Sequence, residues 1–394
     1  MARKVLTLNQ ISIKGLERLP RDCYEIASEF SKPDAILLRS YQLQAQDIAD
    51  SVLAIARAGA GVNNIPVAEC TRRGIPVFNS PGANANAVKE LVAAALLLGS
   101  RGIIEGVRYV DTLSAMQDKA ELNSVLEAHK KQFKGRELVG KTLGVVGLGA
   151  IGSMVAEMAL TMGMEVIGYD PALSVDAAWR LSSKVRKAEN LSTLFARSDY
   201  ISLHLPVLES TRGLVNAELL GAVQPGCCLL NFARQEIVDE DAVIQALEDG
   251  KLRRYIADFP SPALIGRGDV ILMPHIGAST EEAEENCAIM AAEQLRDFLE
   301  NGNVRNSVNF PSLQLERVSG CRLSVSNENV PKILGSVLAI LADENINVID
   351  MLNKSRDEIA YNLIDIDNGA NEAVLEKMRA LKGVINVRLI GDCA

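Results

Sequence analysis

Three histidines occur in the 394 residues, His129, His204 and His275, so few groups can exchange a proton near neutral pH. His275 lies in Met273-Pro274-His275-Ile276-Gly277-Ala278-Ser279-Thr280, just past a strand-like apolar run. Carboxyl ends of parallel strands are where such sheets bind ligands. An imidazole there suits the removal of a hydroxyl proton while hydride leaves the same carbon. Arg234 follows another apolar run in Asn231-Phe232-Ala233-Arg234. Its guanidinium could clamp a carboxylate and polarise a carbonyl as charge develops. Arg39 closes the run Ala35–Leu38, and Arg57 opens the loop Arg57-Ala58-Gly59-Ala60-Gly61-Val62. Two cationic forks beside convergent loop amides suit a substrate with two acidic ends. His204 is read as a structural residue lining a cofactor crevice, and His129, beside Lys130 and Lys131, as solvated.

The cofactor signal is stronger. The run Leu143–Val146 precedes Gly147-Leu148-Gly149-Ala150-Ile151-Gly152 and a helical stretch from Ser153 to Met162. Strand, glycine turn and helix N-terminus together form a pyrophosphate cradle: Gly147 for the turn, Gly149 for close approach, Gly152 for packing. The next strand ends at Asp170, where a carboxylate can bind ribose hydroxyls and repel a 2′-phosphate. NAD is therefore expected rather than NADP.

These groups need parallel sheets to hold them. Lys4–Leu8, Ala35–Leu38 and Ile75–Phe78 read as buried strands of a first sheet. A second series has Thr142–Val146, Glu165–Tyr169, Tyr200–Leu203, Cys228–Asn231 and Val270–Met273, separated by helical patterns. Such alternation specifies doubly wound parallel sheets. Asn86–Ile104 and Glu281–Asn301 read as long helices. A stretch rich in Gly, Asn, Pro and Ser reads as a linker. Beyond it Arg322–Val325, Val330–Glu344, Val348–Ser355, Glu358–Asp367, Glu372–Leu381 and Val384–Ile390 spell β-α-β-β-α-β, a ferredoxin-like module. The fold class is thus α/β, two doubly wound parallel-sheet domains plus a C-terminal ferredoxin-like module.

Hydrophobic residues make up 48% of the chain and charged residues 23%, a globular composition that excludes a disordered chain. A net charge of −9 argues against nucleic acid and anionic membrane as default partners. No apolar run is long enough to span a bilayer. Seven scattered cysteines without CxxC spacing suggest neither a disulfide framework nor a zinc site. A soluble cytoplasmic protein without a bound metal is expected.

Taken together, Arg57–Ile65, Gly147–Asp170, His204–Thr211, Asn231–Glu240 and Pro274–Ala283 resemble the D-2-hydroxyacid dehydrogenases, in order and across nearly the whole chain. Within that family Pro274–Thr280 is most like the branch that oxidises 3-phosphoglycerate. The resemblance implies NAD-linked conversion of 3-phosphoglycerate, or a similar dianionic 2-hydroxy acid, to its keto acid as the first step of L-serine synthesis. His275 would be the acid/base and Arg234 the clamp. Gly59, Ala60, Gly61 and Val62 would hold the carboxylate, Arg39 and Arg57 the phosphate, and Lys130 would reach a neighbouring subunit's site. Gly147, Gly149, Ala150, Ile151, Gly152, Asp170, His204, Pro206, Thr211, Ala233, Asp258 and Gly277 would surround the cofactor, Asp258 at the nicotinamide carboxamide.

The resemblance also implies a discontinuous substrate domain (1–90), a Rossmann domain (91–283), a return helix (284–304), a linker (305–319) and an ACT regulatory domain (320–394). A homo-oligomer, dimer or tetramer, is expected, with L-serine as an effector near Asn327, Asn329 and Asn347. Two departures stand out. The glutamate that usually follows the Asp258 position is missing from Asp258-Phe259-Pro260-Ser261-Pro262-Ala263. In the regulatory turn, Asn327 and Lys332 replace a histidine and a glycine. Other readings left open are a reductase of 2-oxoglutarate, hydroxypyruvate or glyoxylate, and a non-catalytic NAD-sensing scaffold.

Overall fold

A computed structural model describes residues 2–317, 321–367 and 369–391. Cys393 lies outside them, as do positions 318 and 319 of the expected linker and position 320 of the expected regulatory domain. The chain forms two compact units, 1–84 with 280–394, and 85–279. The borders expected at 90/91 and 283/284 fall inside helices Ala85–Ser100 and Glu281–Asn301. The chain changes unit at the starts of these helices, where no helical hydrogen bond need be broken.

In the first unit five parallel strands run in the order Tyr24–Ala27, Arg3–Leu8, Ala35–Leu38, Ala54–Arg57, Val77–Phe78. Ala35–Leu38 is buried on both faces, which is why it reads as a continuous apolar run without alternation. Tyr24–Ala27 and Ala54–Arg57 were not anticipated as strands. Register pairs Leu38 with Arg57, so Arg39 and Arg57 leave the same edge of the sheet side by side.

Helix Glu281–Asn301 has the bounds its sequence predicts. Thr280 accepts the amide of Ala283, three acids fill the first turn, and Gly302 ends it in the left-handed region at φ +74°. A Cβ at Gly302 would lie 2.7 Å from Ile390 and Leu363, so packing also demands glycine there.

The expected linker is part of the core as far as the described residues reach. Phe310, Leu313 and Leu315 are buried. Asn309 accepts the amide of Val77 at 2.8 Å and donates to Ile75 O at 2.9 Å and to Thr71 Oγ1 at 3.1 Å. A Gly/Asn/Pro-rich composition here marks irregular but hydrogen-bonded backbone rather than slack chain.

The C-terminal sheet is antiparallel, in the order Val348–Arg356, Ile359–Ile366, Cys321–Glu328, Val384–Ile390, with helices Ile333–Asp343 and Glu372–Arg379. This is the ferredoxin-like arrangement. Ile359, Tyr361 and Leu363 share a hydrophobic cluster with Phe298, Phe310 and the first sheet. Arg322 and Asp365 form an ion pair at 0% and 1% side-chain exposure. Arg322 also donates to the carbonyls of Asn301, Leu315 and Glu316, which satisfies a buried charge that would otherwise be costly.

The second unit holds seven parallel strands in the order Val270–Leu272, Leu252–Ala257, Cys227–Asn231, Tyr200–Leu203, Thr142–Val146, Glu165–Tyr169, Val185–Lys187. The strand order reverses at Thr142–Val146, the switch point where open α/β sheets bind ligands. Leu252–Ala257 and Val185–Lys187 escaped the sequence reading because each carries adjacent charged residues, Arg253 with Arg254 and Arg186 with Lys187. No described helix is long and apolar enough to cross a membrane.

Candidate active site

The glycine turn is shaped for a phosphate group. A Cβ on Gly152 would stand 1.9 Å from the carbonyl of Gly147, and one on Gly147 2.4 Å from that of His204. Gly149 faces open space and starts helix Ala150–Thr161 without a side-chain cap. The amides of Ala150, Ile151 and Gly152 are therefore left for an anion, aided by the helix dipole. Asp170 does more than expected: its carboxylate accepts the amides of Leu148 and Ala172, each at 2.9 Å, and so braces the turn.

His204 shares a 2.8 Å hydrogen bond with Ser202 through Nε2, while Nδ1 is buried without a partner. Burial pushes its imidazole down to about 3, so it stays neutral through the physiological range. Thr211 Oγ1 donates to Pro206 O at 2.7 Å and accepts the amide of Leu208, closing the loop that carries Pro206. An uncapped helix start, an orphaned ring nitrogen and an acid beside the turn form a donor set that fits a dinucleotide.

His275 holds φ at +57°, a left-handed conformation that costs a non-glycine residue about 1–2 kcal/mol. Asp258, 3% exposed, holds it there: Oδ1 accepts the amide of Ile276 at 2.8 Å and Oδ2 that of Gly277 at 2.7 Å. The role implied for Asp258, contact with nicotinamide, is thus joined by a role in shaping the histidine loop. The imidazole is exposed and lies 5.0 Å from the Phe259 ring. Among the described residues no carboxylate pairs with it. Arg234 stands at the end of Cys227–Asn231, its Nη1 on the carbonyl of Ala233 at 2.7 Å. Buried Asn231 bonds the carbonyl of Arg234, the amide of Ala233 and the hydroxyl of Tyr255. Asn231 and Tyr255 therefore position Arg234, a role the sequence reading missed.

In the first unit, Arg57 Nε donates to the carbonyl of Arg39 at 3.0 Å. A Cβ on Gly59 would lie 2.3 Å from Arg57 Nη1, so this glycine makes room for the guanidinium. One expectation needs correction. The Gly59 amide is committed to the carbonyl of Arg57 at 2.9 Å, which leaves Ala60, Gly61 and Val62 as the open donors. Arg39 is paired with Glu284, from the first turn of helix Glu281–Asn301, at 2.7 Å. Lys130 is exposed and paired with Glu127.

Of the regulatory asparagines, Asn327 is buried, its amide donating to Glu328 O and its side-chain carbonyl accepting from Asn362. Asn329 donates to Asp357 O at 3.1 Å, and Asn347 is exposed. Lys332 occupies the left-handed region at φ +78°. No group of three His, Cys, Asp or Glu side chains among the described residues could hold a metal ion.

The family model described as D-isomer specific 2-hydroxyacid dehydrogenase, NAD binding domain, matches residues 102–277. A D-3-phosphoglycerate dehydrogenase of Haemophilus influenzae is 33% identical over 356 residues, 87% of this chain and 82% of its own. The chain belongs to the D-isomer specific 2-hydroxyacid dehydrogenases. Escherichia coli K12 has a D-3-phosphoglycerate dehydrogenase that is 32% identical over 370 residues, 90% of this chain and 86% of that one. Among solved structures, the NAD+-bound 3-phosphoglycerate dehydrogenase of Entamoeba histolytica matches with a TM-score of 0.61 and 28% identity, over 78% of this chain and 99% of that one. Like other 2-hydroxyacid dehydrogenases of this type, the protein is an NAD-dependent oxidoreductase.

Proposed function

We propose that this dehydrogenase oxidises 3-phosphoglycerate to 3-phosphohydroxypyruvate, the first step of L-serine synthesis. The observation that carries the reading is that Leu38 pairs with Arg57, so that Arg39 and Arg57 stand at the ends of adjacent strands, next to three open amides at Ala60, Gly61 and Val62. Two anion-binding devices side by side would suit a substrate with a carboxylate at one end and a phosphate at the other.

In this mechanism Ala60–Val62 orient the carboxylate, and Arg57 with Arg39 hold the phosphate. His275 accepts the C2 hydroxyl proton. Arg234 binds the carboxylate and the oxygen that becomes a carbonyl. NAD, when bound, accepts the hydride from C2. The amides of Ala150–Gly152, with Asp170, Pro206, Thr211 and Ala233, would hold it, while Asp258, through the amides of Ile276 and Gly277, holds the histidine loop. The six described cysteines form no disulfide with one another, which suits the cytoplasmic location proposed for the enzyme.

On this reading the C-terminal module is an ACT domain of a homo-oligomer. L-serine is its effector, at Asn329 and Asn347, and Lys130 reaches a neighbouring subunit. Exposed Ile103, Val107 and Val110 on helix Ile103–Thr112 support self-association. The test is NAD reduction at 340 nm with 3-phosphoglycerate, D-lactate and D-glycerate, at alkaline pH with the keto product trapped. Turnover with the phosphorylated acid alone, lost in Arg57→Met, is the expected result. Oxidation of NADH by 2-oxoglutarate or glyoxylate, with none of the phosphoglycerate reaction, would refute the substrate. NADH binding with no turnover on any acid, and no change in His275→Gln, would refute catalysis.

A further inference from the structure

Between the C-terminal module and the first sheet lies an open pocket of about 450 Å³ that no step of the oxidation uses. Its cationic wall is unevenly neutralised. Arg379 is paired with Glu372. Arg3 makes no side-chain hydrogen bond or ion pair among the described residues. Arg388 keeps only a long bond, Nη2 to Leu299 O at 3.3 Å, while Nη1 is buried without an acceptor. Its guanidinium lies 4.6 Å from the centre of the Phe298 ring, a contact that supports a cation without neutralising it. Burial above all holds Arg388 down to about 10, opposed by Tyr361, with the like charge of Arg3 lowering it further and Asp34 raising it. Asp34 is itself engaged, accepting the backbone amide of Lys4 at 2.6 Å. Three arginines, Arg3, Arg379 and Arg388, thus line one open pocket with a single carboxylate, Glu372. The rest of the wall is Leu53, Leu375, Val387 and Leu389, with one polar side chain, Asn386.

We propose that this pocket binds a small organic acid, its carboxylate between Arg3 and Arg388 and its aliphatic body against Leu53, Leu375 and Leu389. The volume lies within the range of small-molecule sites, and apolar walls with a few convergent polar groups are their usual build. Turning Nη1 of Arg388 toward a carboxylate gives up little, because its one hydrogen bond is long. Inorganic phosphate fits less well: as a dianion without an apolar part it would leave the leucines with nothing to bury and meet only two cations.

The experiment is calorimetric titration of the NADH-saturated full-length enzyme with 3-methylbutanoate, 3-methylbutanamide and inorganic phosphate. The carboxylate should bind with Kd on the order of 1 mM, reasonable for so few heavy atoms, and the neutral amide should not. Arg388→Met should abolish the binding, and Arg3→Gln should weaken it roughly tenfold as one charge-assisted contact is lost. Arg3→Gln lies at a strand start and keeps the test decisive if Arg388→Met fails to fold. No saturable heat with the carboxylate, equal binding of the amide, preference for phosphate, or binding unchanged in either folded variant would each overturn the proposal.

Discussion

Replacing Asp258 with alanine isolates what the histidine loop is held by. The left-handed backbone of His275 costs about 1–2 kcal/mol. Against it stand two amide-to-carboxylate bonds at 2.8 and 2.7 Å, each contributing about 1.5–3 kcal/mol. Removing both leaves the strain unopposed, and the productive loop falls to roughly one molecule in five to one in thirty. The expected kcat of Asp258→Ala is therefore about 5–30-fold below that of the parent. Asp258→Asn keeps one acceptor, now neutral and contributing about 0.5–1.5 kcal/mol, which offsets part of the strain, so its kcat should fall several-fold less than that of Asp258→Ala. The assay is NAD reduction with 3-phosphoglycerate at saturating NAD, alongside near-ultraviolet circular dichroism to show that both variants are folded. A KM for NAD that rises while kcat holds would assign Asp258 to the nicotinamide alone. An asparagine variant as slow as the alanine one would refute the bond count.

Three further outcomes follow from the geometry. Glu284→Gln releases Arg39 from a half-exposed pair worth about 0.2–1 kcal/mol, so KM for 3-phosphoglycerate should drop about 1.5–5-fold in steady-state rates; an unchanged KM would mean that Arg39 does not meet the substrate. His204 has a folded pKa of about 3 against 6.5. Its contribution to stability is complete above pH 6.5 and lost as pH falls toward 3, at about 1.4 kcal/mol per pH unit. Urea unfolding of His204→Asn between pH 6.5 and 5 should show a correspondingly flatter pH slope than the parent, and equal slopes would contradict the burial argument. Arg322→Met should destabilise by about 3–5 kcal/mol because Asp365 is left buried and unpaired. Arg322→Met with Asp365→Leu should recover most of that loss, and additive losses in denaturant titrations would show that the pair itself, not its isolation, sets the cost.

Much of the site was legible because its signals are local. Gly147–Gly152 followed by Asp170 states strand, turn and acid in a single stretch, and Thr280 and Gly302 mark both ends of helix Glu281–Asn301. What sequence could not show depends on partners distant along the chain. Glu284 reaches Arg39 only once the long helix packs on the first sheet. Asp258 was read by its position rather than by the two amides it accepts. Strand Leu252–Ala257 opens with Arg253 and Arg254, whose charges disguise a buried strand. The segment around Asn309 looks like slack chain because its polar groups are satisfied by backbone from Ile75 and Val77, and composition does not record a partner.

The shared cluster of Ile359, Tyr361 and Leu363 with Phe298 and Phe310 bears on how this chain can be cut. Phe310 and Tyr361 stack edge-on at 5.7 Å, and the Tyr361 hydroxyl donates to Gly302 O at 2.8 Å. A shortened gene product ending near residue 316 would open this aromatic seam to water, and the exposed face would invite aggregation. The C-terminal module is therefore no detachable cassette: exchange with the module of another protein would have to carry matching residues at 298, 302 and 310. Limited proteolysis should find no early nick between Asn303 and Leu315, since that stretch opens only when the sheet it is sewn into comes apart.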